Sequence, residues 1–314
     1  MDGRDQLAAQ IREEQAGLIR RAQLLELGCS PNDIARLIRR RELTSVHDGV
    51  YADQTGPLSW HQRSWAAVLA CWPAGLRAAS AARAADARRR RSADDHRPIE
   101  VVVDWTRSLR VPGIDVRRSR RFPHDVDWTT SPPRQLPAQW ALDLAAAAAN
   151  DMDAVAVITD AIGGRQLSAS TLSAALAGRT RIRRRAFLTQ VVADAGAGTC
   201  STLEHGYLHR VEQAHGLPIA ARQVMESAKG TVYRDVVYVA FGLIVELDGR
   251  LHHSGIRNRD RDLARDLDAA VAGRETVRLG WGQVFGSQCH TAWSIGQLLN
   301  QRGWTGRSTS CPRC

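Results

Sequence analysis

Apolar residues recur at helical spacing through the first forty positions and at alternate positions in two segments near residue 240, and the two periods predict different structures. The pattern predicts an amphipathic helix over residues 7–15 and a second over 20–27, stopped at Gly28. Ser30-Pro31 opens a third, a cap residue followed by proline at the first helical position. Within it Ile34, Leu37 and Ile38 form a buried stripe, which leaves Arg36, Arg39 and Arg40 facing outward. Residues 43–51 then read as two short strands joined by Asp48-Gly49, a strong hairpin signal.

The middle of the chain mixes both periods. A helical run over residues 60–71 leads into an alanine- and arginine-rich stretch, 78–93, that fits either a helix or a connector. Residues 99–103 and 114–118 read as strands with Gly113 at the turn, and helices are predicted over 136–149, 154–163, 170–177 and 183–193. Trp140 and the alanine run 145–149 read as packing. The expected fold class is α+β and multidomain, with domains at 1–56, 57–198 and 199–302 and a tail at 303–314.

Chemistry concentrates on the two alternating segments. Residues 231–238 form the first strand, and Ala240-Phe241-Gly242 is a turn short enough to bring the next strand back antiparallel. Asp235 can then lie across from Glu246, while Ile244, Glu246 and Asp248 share one face by the period of two. An acid on such apolar strands costs several kcal/mol in desolvation unless it is paired or binds a cation. Two strand carboxylates with one open side suit Mg²⁺, or Mn²⁺. Mg²⁺ takes oxygen ligands and keeps waters that can be activated for attack on a phosphate, so phosphodiester hydrolysis is the natural chemistry. Asp248-Gly249 also fits a simple turn dipeptide.

Asp235, a ten-residue gap, Glu246-Leu247-Asp248-Gly249 and a following histidine together resemble the restriction-endonuclease fold called PD-(D/E)XK. More narrowly they resemble its branch related to the very-short-patch-repair (Vsr-like) endonucleases. The resemblance spans about residues 200–300 and implies an α/β/α restriction-endonuclease-like C-terminal domain. It also implies a glutamate from a preceding helix, a place that Glu204 fills, and an Arg/Asp-rich helix, at 259–266 here. The common pattern has a lysine two residues after the glutamate, where this chain has Asp248. Lys229 is the single lysine and precedes the first strand, and arginine cannot serve as a base. The Vsr-like branch is similar in using histidine, which points to His253, with His252 second, as the group that moves a proton near neutrality. The implied catalytic set is Glu204, Asp235, Glu246, Asp248 and His253, with the metal on Asp235 and Glu246. Ser201-x-x-Glu204 also fits a capping box, and 259–266 also fits a solvated helix face with Asp–Arg pairs.

Three helices followed by a hairpin is the layout of a winged helix-turn-helix, in which the third helix enters the major groove and the hairpin lies along the backbone. The segment resembles the N-terminal domain of the AbiEi family, antitoxins of type IV toxin–antitoxin systems, where Gly-Val-Tyr follows the wing turn as Gly49-Val50-Tyr51 does here. That resemblance implies promoter binding, with Arg36, Arg39, Arg40 and His47 as the DNA-facing candidates. It also implies a mixed α/β middle domain, a small sheet covered by helices. A winged helix used only for protein contacts fits the same pattern.

Composition adjusts this picture at three points. The net charge is +10, and residues 77–121 hold 13 arginines against 6 acids, a local excess that favours phosphate backbones through counterion release. A solvated loop from an arginine-rich proteome would look the same, since the chain has 42 arginines to one lysine. There is no long apolar run, and Met1-Asp2-Gly3-Arg4-Asp5 lacks a signal peptide's apolar core, so a cytoplasmic protein without membrane partners is expected. Six cysteines do not make a disulfide scaffold in a chain of this size. Cys311-Pro312-Arg313-Cys314 is half of a zinc knuckle, with Cys289-His290 as the nearby pair that could complete it.

The expected function is a DNA-binding, metal-dependent endonuclease acting on double-stranded DNA. A cognate toxin or a repair partner stays open, as does RNA as the substrate. The competing expectation is an antitoxin or transcriptional repressor whose nuclease-like domain is an inactive scaffold.

Overall fold

The structure, a computed structural model, describes residues 3–86, 97–163, 167–197, 201–226, 232–248 and 274–311. It is a mixed α and β architecture with three sheets among the described residues, in two units, Met1–Leu144 and Ala145–Cys314. No helix among those residues is long and apolar enough to cross a membrane.

In the first unit, α1 (Gly3–Glu14), α2 (Arg21–Glu26) and α3 (Pro31–Arg39) precede a hairpin of β2 (Thr44–His47) and β3 (Val50–Ala52). The α3 start follows its sequence: Ser30 Oγ accepts the Asp33 N–H at 3.1 Å while the Asp33 carboxylate accepts the Ser30 N–H at 3.0 Å. A strand not anticipated, β1 (Leu18–Arg20), pairs with β3 and gives a sheet in the order β1-β3-β2. Period-two alternation gives this sheet two apolar faces. Ile19 and Tyr51 pack with Leu24 and Ile34 of the helices, and Leu18, Val50 and Ala52 pack against Trp65, Ala66 and Leu69 of α4 (Trp60–Ala70). Both faces are therefore closed, the second by a helix beyond residue 56.

The α3 stripe is narrower than expected. Ile34 is buried and Leu37 packs on the core, but Ile38 is 37% exposed, because α3 meets the sheet only along its 34/37 edge. The second sheet orders β6-β5-β4-β8-β7, from β4 (Gly75–Leu76), β5 (Ile99–Asp104), β6 (Ile114–Ser119), β7 (Val126–Asp127) and β8 (Arg134–Gln135). Strands β5 and β6 flank Gly113 as expected but pair in parallel, Ile99 with Ile114 through Asp104 with Ser119. Beside them lie α5 (Ala78–Ala85) and α6 (Pro137–Ala147); residues 87–93 of the ambiguous stretch lie outside the described residues.

The second unit begins with α7 (Asp151–Gly163), α8 (Ala169–Ala177) and α9 (Arg185–Ala197), whose Ile158, Leu172, Leu188 and Val191 are buried. Next, α10 (Ser201–Gly206) runs into a π-helical turn, Tyr207–Glu212, and a 3₁₀ turn, Gln213–His215. A four-stranded sheet follows in the order β12-β11-β10-β9, built from β9 (Ala221–Glu226), β10 (Val232–Tyr238), β11 (Leu243–Leu247) and β12 (Glu275–Leu279). The first three strands form an antiparallel meander and β12 is parallel to β11. A second π-helical turn, Gly282–Gly286, and α11 (Gln288–Gln301) complete the unit.

Candidate functional site

A 3₁₀ turn over Val239–Phe241 and the left-handed Gly242 (φ +61°) close the β10–β11 hairpin. The register pairs Val236 with Val245, Val237 with Ile244 and Tyr238 with Leu243, and one further step in that register opposes Asp235 and Glu246. Beyond the last paired residues the backbone gives way to side chains: Asp235 Oδ2 accepts the Leu247 N–H at 2.8 Å. Glu246 Oε1 accepts from Arg234 Nη1 at 2.8 Å, and that arginine's side chain is only 4% exposed. Glu204, on α10, accepts from Gln223 Nε2 at 3.0 Å. Gln223 stands in the left-handed region at φ +48°, a strained conformation of the kind that collects at functional sites.

The electrostatics tie these groups together. Burial raises Asp235 above the usual carboxylate range; the negative charges of Glu204 and Asp248 add to the rise, and the Leu247 N–H and Arg234 oppose it. Glu246 is raised by burial first and by Asp235, against the pull of Arg234 and Arg278. Of the four sequence-predicted acids, Asp235 is thus the one within electrostatic reach of the other three, Glu204, Glu246 and Asp248. Asp248 is exposed, and its N–H continues the ladder to Leu279 O at 2.9 Å. His252, His253 and residues 259–266 lie outside the described residues, as does the Ser201 side chain.

An all-oxygen donor set fits a hard cation such as Mg²⁺ or Mn²⁺, which is commonly held by one or two carboxylates and several waters. Among the described residues, one group of three metal-ligating side chains has donor atoms within 4.8 Å of one another: His215, Cys289 and Cys311. The carboxylates do not make such a group. The pairing expected of Cys289 with His290 is replaced, because adjacent residues on a helix point about 100° apart. Cys289 turns inward, while His290 is exposed and stacks on Trp293 with ring centroids 5.8 Å apart. Sequence reasoning also missed Arg234 and Gln223. A charged residue inside an apolar strand was the available signal for Arg234, and nothing in the sequence marks Gln223.

In the first unit, Arg36 pairs with Asp33 at 3.0 Å and Arg40 with Glu42 at 3.8 Å, while Arg39 is exposed on the last turn of α3. His47 sits at an irregularity in β2 and lines a cleft of about 360 Å³ with Arg63, Arg97 and Ile99. Burial pulls His47 below the usual histidine range, so near neutral pH it is an uncharged hydrogen-bonding group rather than a cation.

No family model matches this chain, and no curated protein matches it.

Proposed function

We propose that the protein is a metal-dependent endonuclease that hydrolyses phosphodiester bonds, with a restriction-endonuclease-like, Vsr-like C-terminal domain served by an N-terminal winged helix that binds double-stranded DNA. The observation that carries this is the half-buried pair Asp235 and Glu246 at opposed positions of β10 and β11, both raised by burial, Asp235 further by the charges of Glu204 and Asp248 and Glu246 further by that of Asp235. Such a set is relieved by a cation.

In this mechanism Asp235 and Glu246 would hold Mg²⁺ or Mn²⁺, with Glu204 or Asp248 contributing. When bound, such an ion lowers the pKa of its water and neutralises charge developing on the phosphate. The chain's own residues supply order. The Leu247 N–H fixes one oxygen of Asp235, Gln223 orients Glu204, and Arg234 orients Glu246. His253, outside the described residues, is assigned the proton transfer, since Asp248 in the lysine position cannot act as a cation. Arg36, Arg39 and Arg40 attract the DNA backbone, and His47 contributes as a neutral donor or acceptor. The test is supercoiled plasmid in Mg²⁺ or Mn²⁺ against an EDTA control. Metal-dependent nicking supports the proposal, and intact plasmid with a folded protein that still binds duplex overturns it.

One observation favours a second reading. Arg234 already neutralises Glu246 at 2.8 Å, as expected if the domain is an inactive scaffold in an antitoxin or repressor. That reading predicts duplex binding with no cleavage under any metal.

A further inference from the structure

The C-terminal segment returns to a buried histidine. His215 ends the 3₁₀ turn and is 2% exposed; its carbonyl accepts the Thr309 N–H at 2.9 Å. Gly216, at φ +64°, lies against the Thr309 side chain, so the chain turns sharply where the two segments meet. Cys289 in the first turn of α11 and Cys311 in the returning segment complete the group, each with a donor atom within 4.8 Å of the other two.

The sulfur spacing separates two chemistries. Cys289 Sγ and Cys311 Sγ are 3.7 Å apart, whereas a disulfide requires about 2.05 Å. Two thiolates on a tetrahedral zinc, each about 2.3 Å from the metal, lie about 3.8 Å apart. The imidazole is oriented for the same purpose. His215 Nδ1 is 3.1 Å from the Val211 carbonyl, which can only accept, so Nδ1 carries the proton and Nε2 keeps its lone pair. A backbone carbonyl holding the second nitrogen is the usual support of a metal-bound histidine. Three residues beyond Cys311 the sequence has Cys314, at the C-x-x-C spacing of structural zinc sites; it lies outside the described residues.

We propose that His215, Cys289 and Cys311 bind a structural zinc ion, and that the ion clamps the C-terminal segment onto the helical stretch running from Glu204 to His215. Nitrogen and sulfur donors select zinc over Mg²⁺, so the clamp is chemically distinct from the carboxylate site and shares no residue with it.

The experiment is metal analysis of the full, untagged chain purified under reducing conditions. One zinc per chain is expected, falling to background in Cys289→Ser, Cys311→Ser and His215→Ala and unchanged in Cys29→Ser. In case a ligand variant fails to fold, the wild-type protein gives an independent readout. Blocking its thiols with an organomercurial should release the zinc to a chromophoric chelator, and Co²⁺ in its place should show thiolate charge-transfer and tetrahedral ligand-field bands. Two results would each overturn the proposal: a folded wild-type chain that neither carries zinc nor gives those bands with Co²⁺, or a Cys289→Ser/Cys311→Ser double variant that keeps its zinc.

Discussion

Asp235 Oδ2 accepts the backbone N–H of Leu247 at 2.8 Å, so a side chain from β10 takes a hydrogen bond on β11 just past the last paired residues of the two strands. The bond fixes one carboxylate oxygen and leaves the other for a ligand. Asp235→Asn can keep that bond through its amide oxygen while losing the charge. The folded protein should be as stable as wild type or more stable by up to about 1 kcal/mol, since a buried charge is removed. Cleavage should fall by about 100-fold or more, the equivalent of several kcal/mol of charge stabilisation. Thermal melting beside a plasmid-nicking time course checks both halves.

Gly206, two residues after Glu204, has no room for a side chain: an added Cβ would run into the Phe285 ring, which stacks on Trp281 with centroids 5.4 Å apart. Gly206→Ala should destabilise the protein by about 1–3 kcal/mol, as overpacked positions do, despite alanine's better helix propensity. Denaturant unfolding measures this directly, and a stabilised variant would contradict the packing described.

Asp151 opens α7 and accepts from Arg184 Nε at 2.9 Å and Arg210 Nη2 at 2.6 Å. Burial alone would raise this carboxyl, but the two arginines outweigh it and hold it below its ordinary 3.8. A carboxylate depressed in the folded state contributes stability that is complete above its ordinary value and is lost as pH falls through the folded one. Asp151→Asn should therefore cost about 1–3 kcal/mol at pH 7, and the gap to wild type should close below about pH 4. Melts of both proteins across that range test the sign.

The arginines of α3 should contribute unequally to duplex binding. Asp33 offsets Arg36 at 3.0 Å, whereas Arg39 is exposed with like-charged neighbours. Arg39→Ala should reduce the slope of log affinity against log salt by about 1, and Arg36→Ala by less. Fluorescence anisotropy over a salt series distinguishes them, and wild-type slopes in both variants would remove α3 from the DNA-facing surface.

How much of this was legible beforehand varies with the range of the interaction. The β10–β11 hairpin and the placement of Asp235 and Glu246 follow from local period-two alternation and the Phe241-Gly242 turn, which act within about ten residues. Glu204 needed a family resemblance, because it lies 31 positions before Asp235 and its approach to the strands is non-local. Strand β12 was missed: Glu275-Thr276-Val277-Arg278-Leu279 is short and mixed in polarity, and its parallel pairing with β11 is non-local. The parallel pairing of β5 with β6 escaped for the same reason. His215 was missed as a companion of Cys289 because 74 positions separate them, and the adjacent His290 offered a nearer but geometrically wrong choice.

The most direct test of the central claim compares wild type with Glu246→Ala for nicking of supercoiled plasmid in Mn²⁺, with duplex affinity measured on the same preparations. The account predicts metal-dependent nicking by wild type, abolished in the variant with duplex affinity unchanged. Equal nicking by both proteins, or none by a wild-type protein that binds duplex, would contradict it.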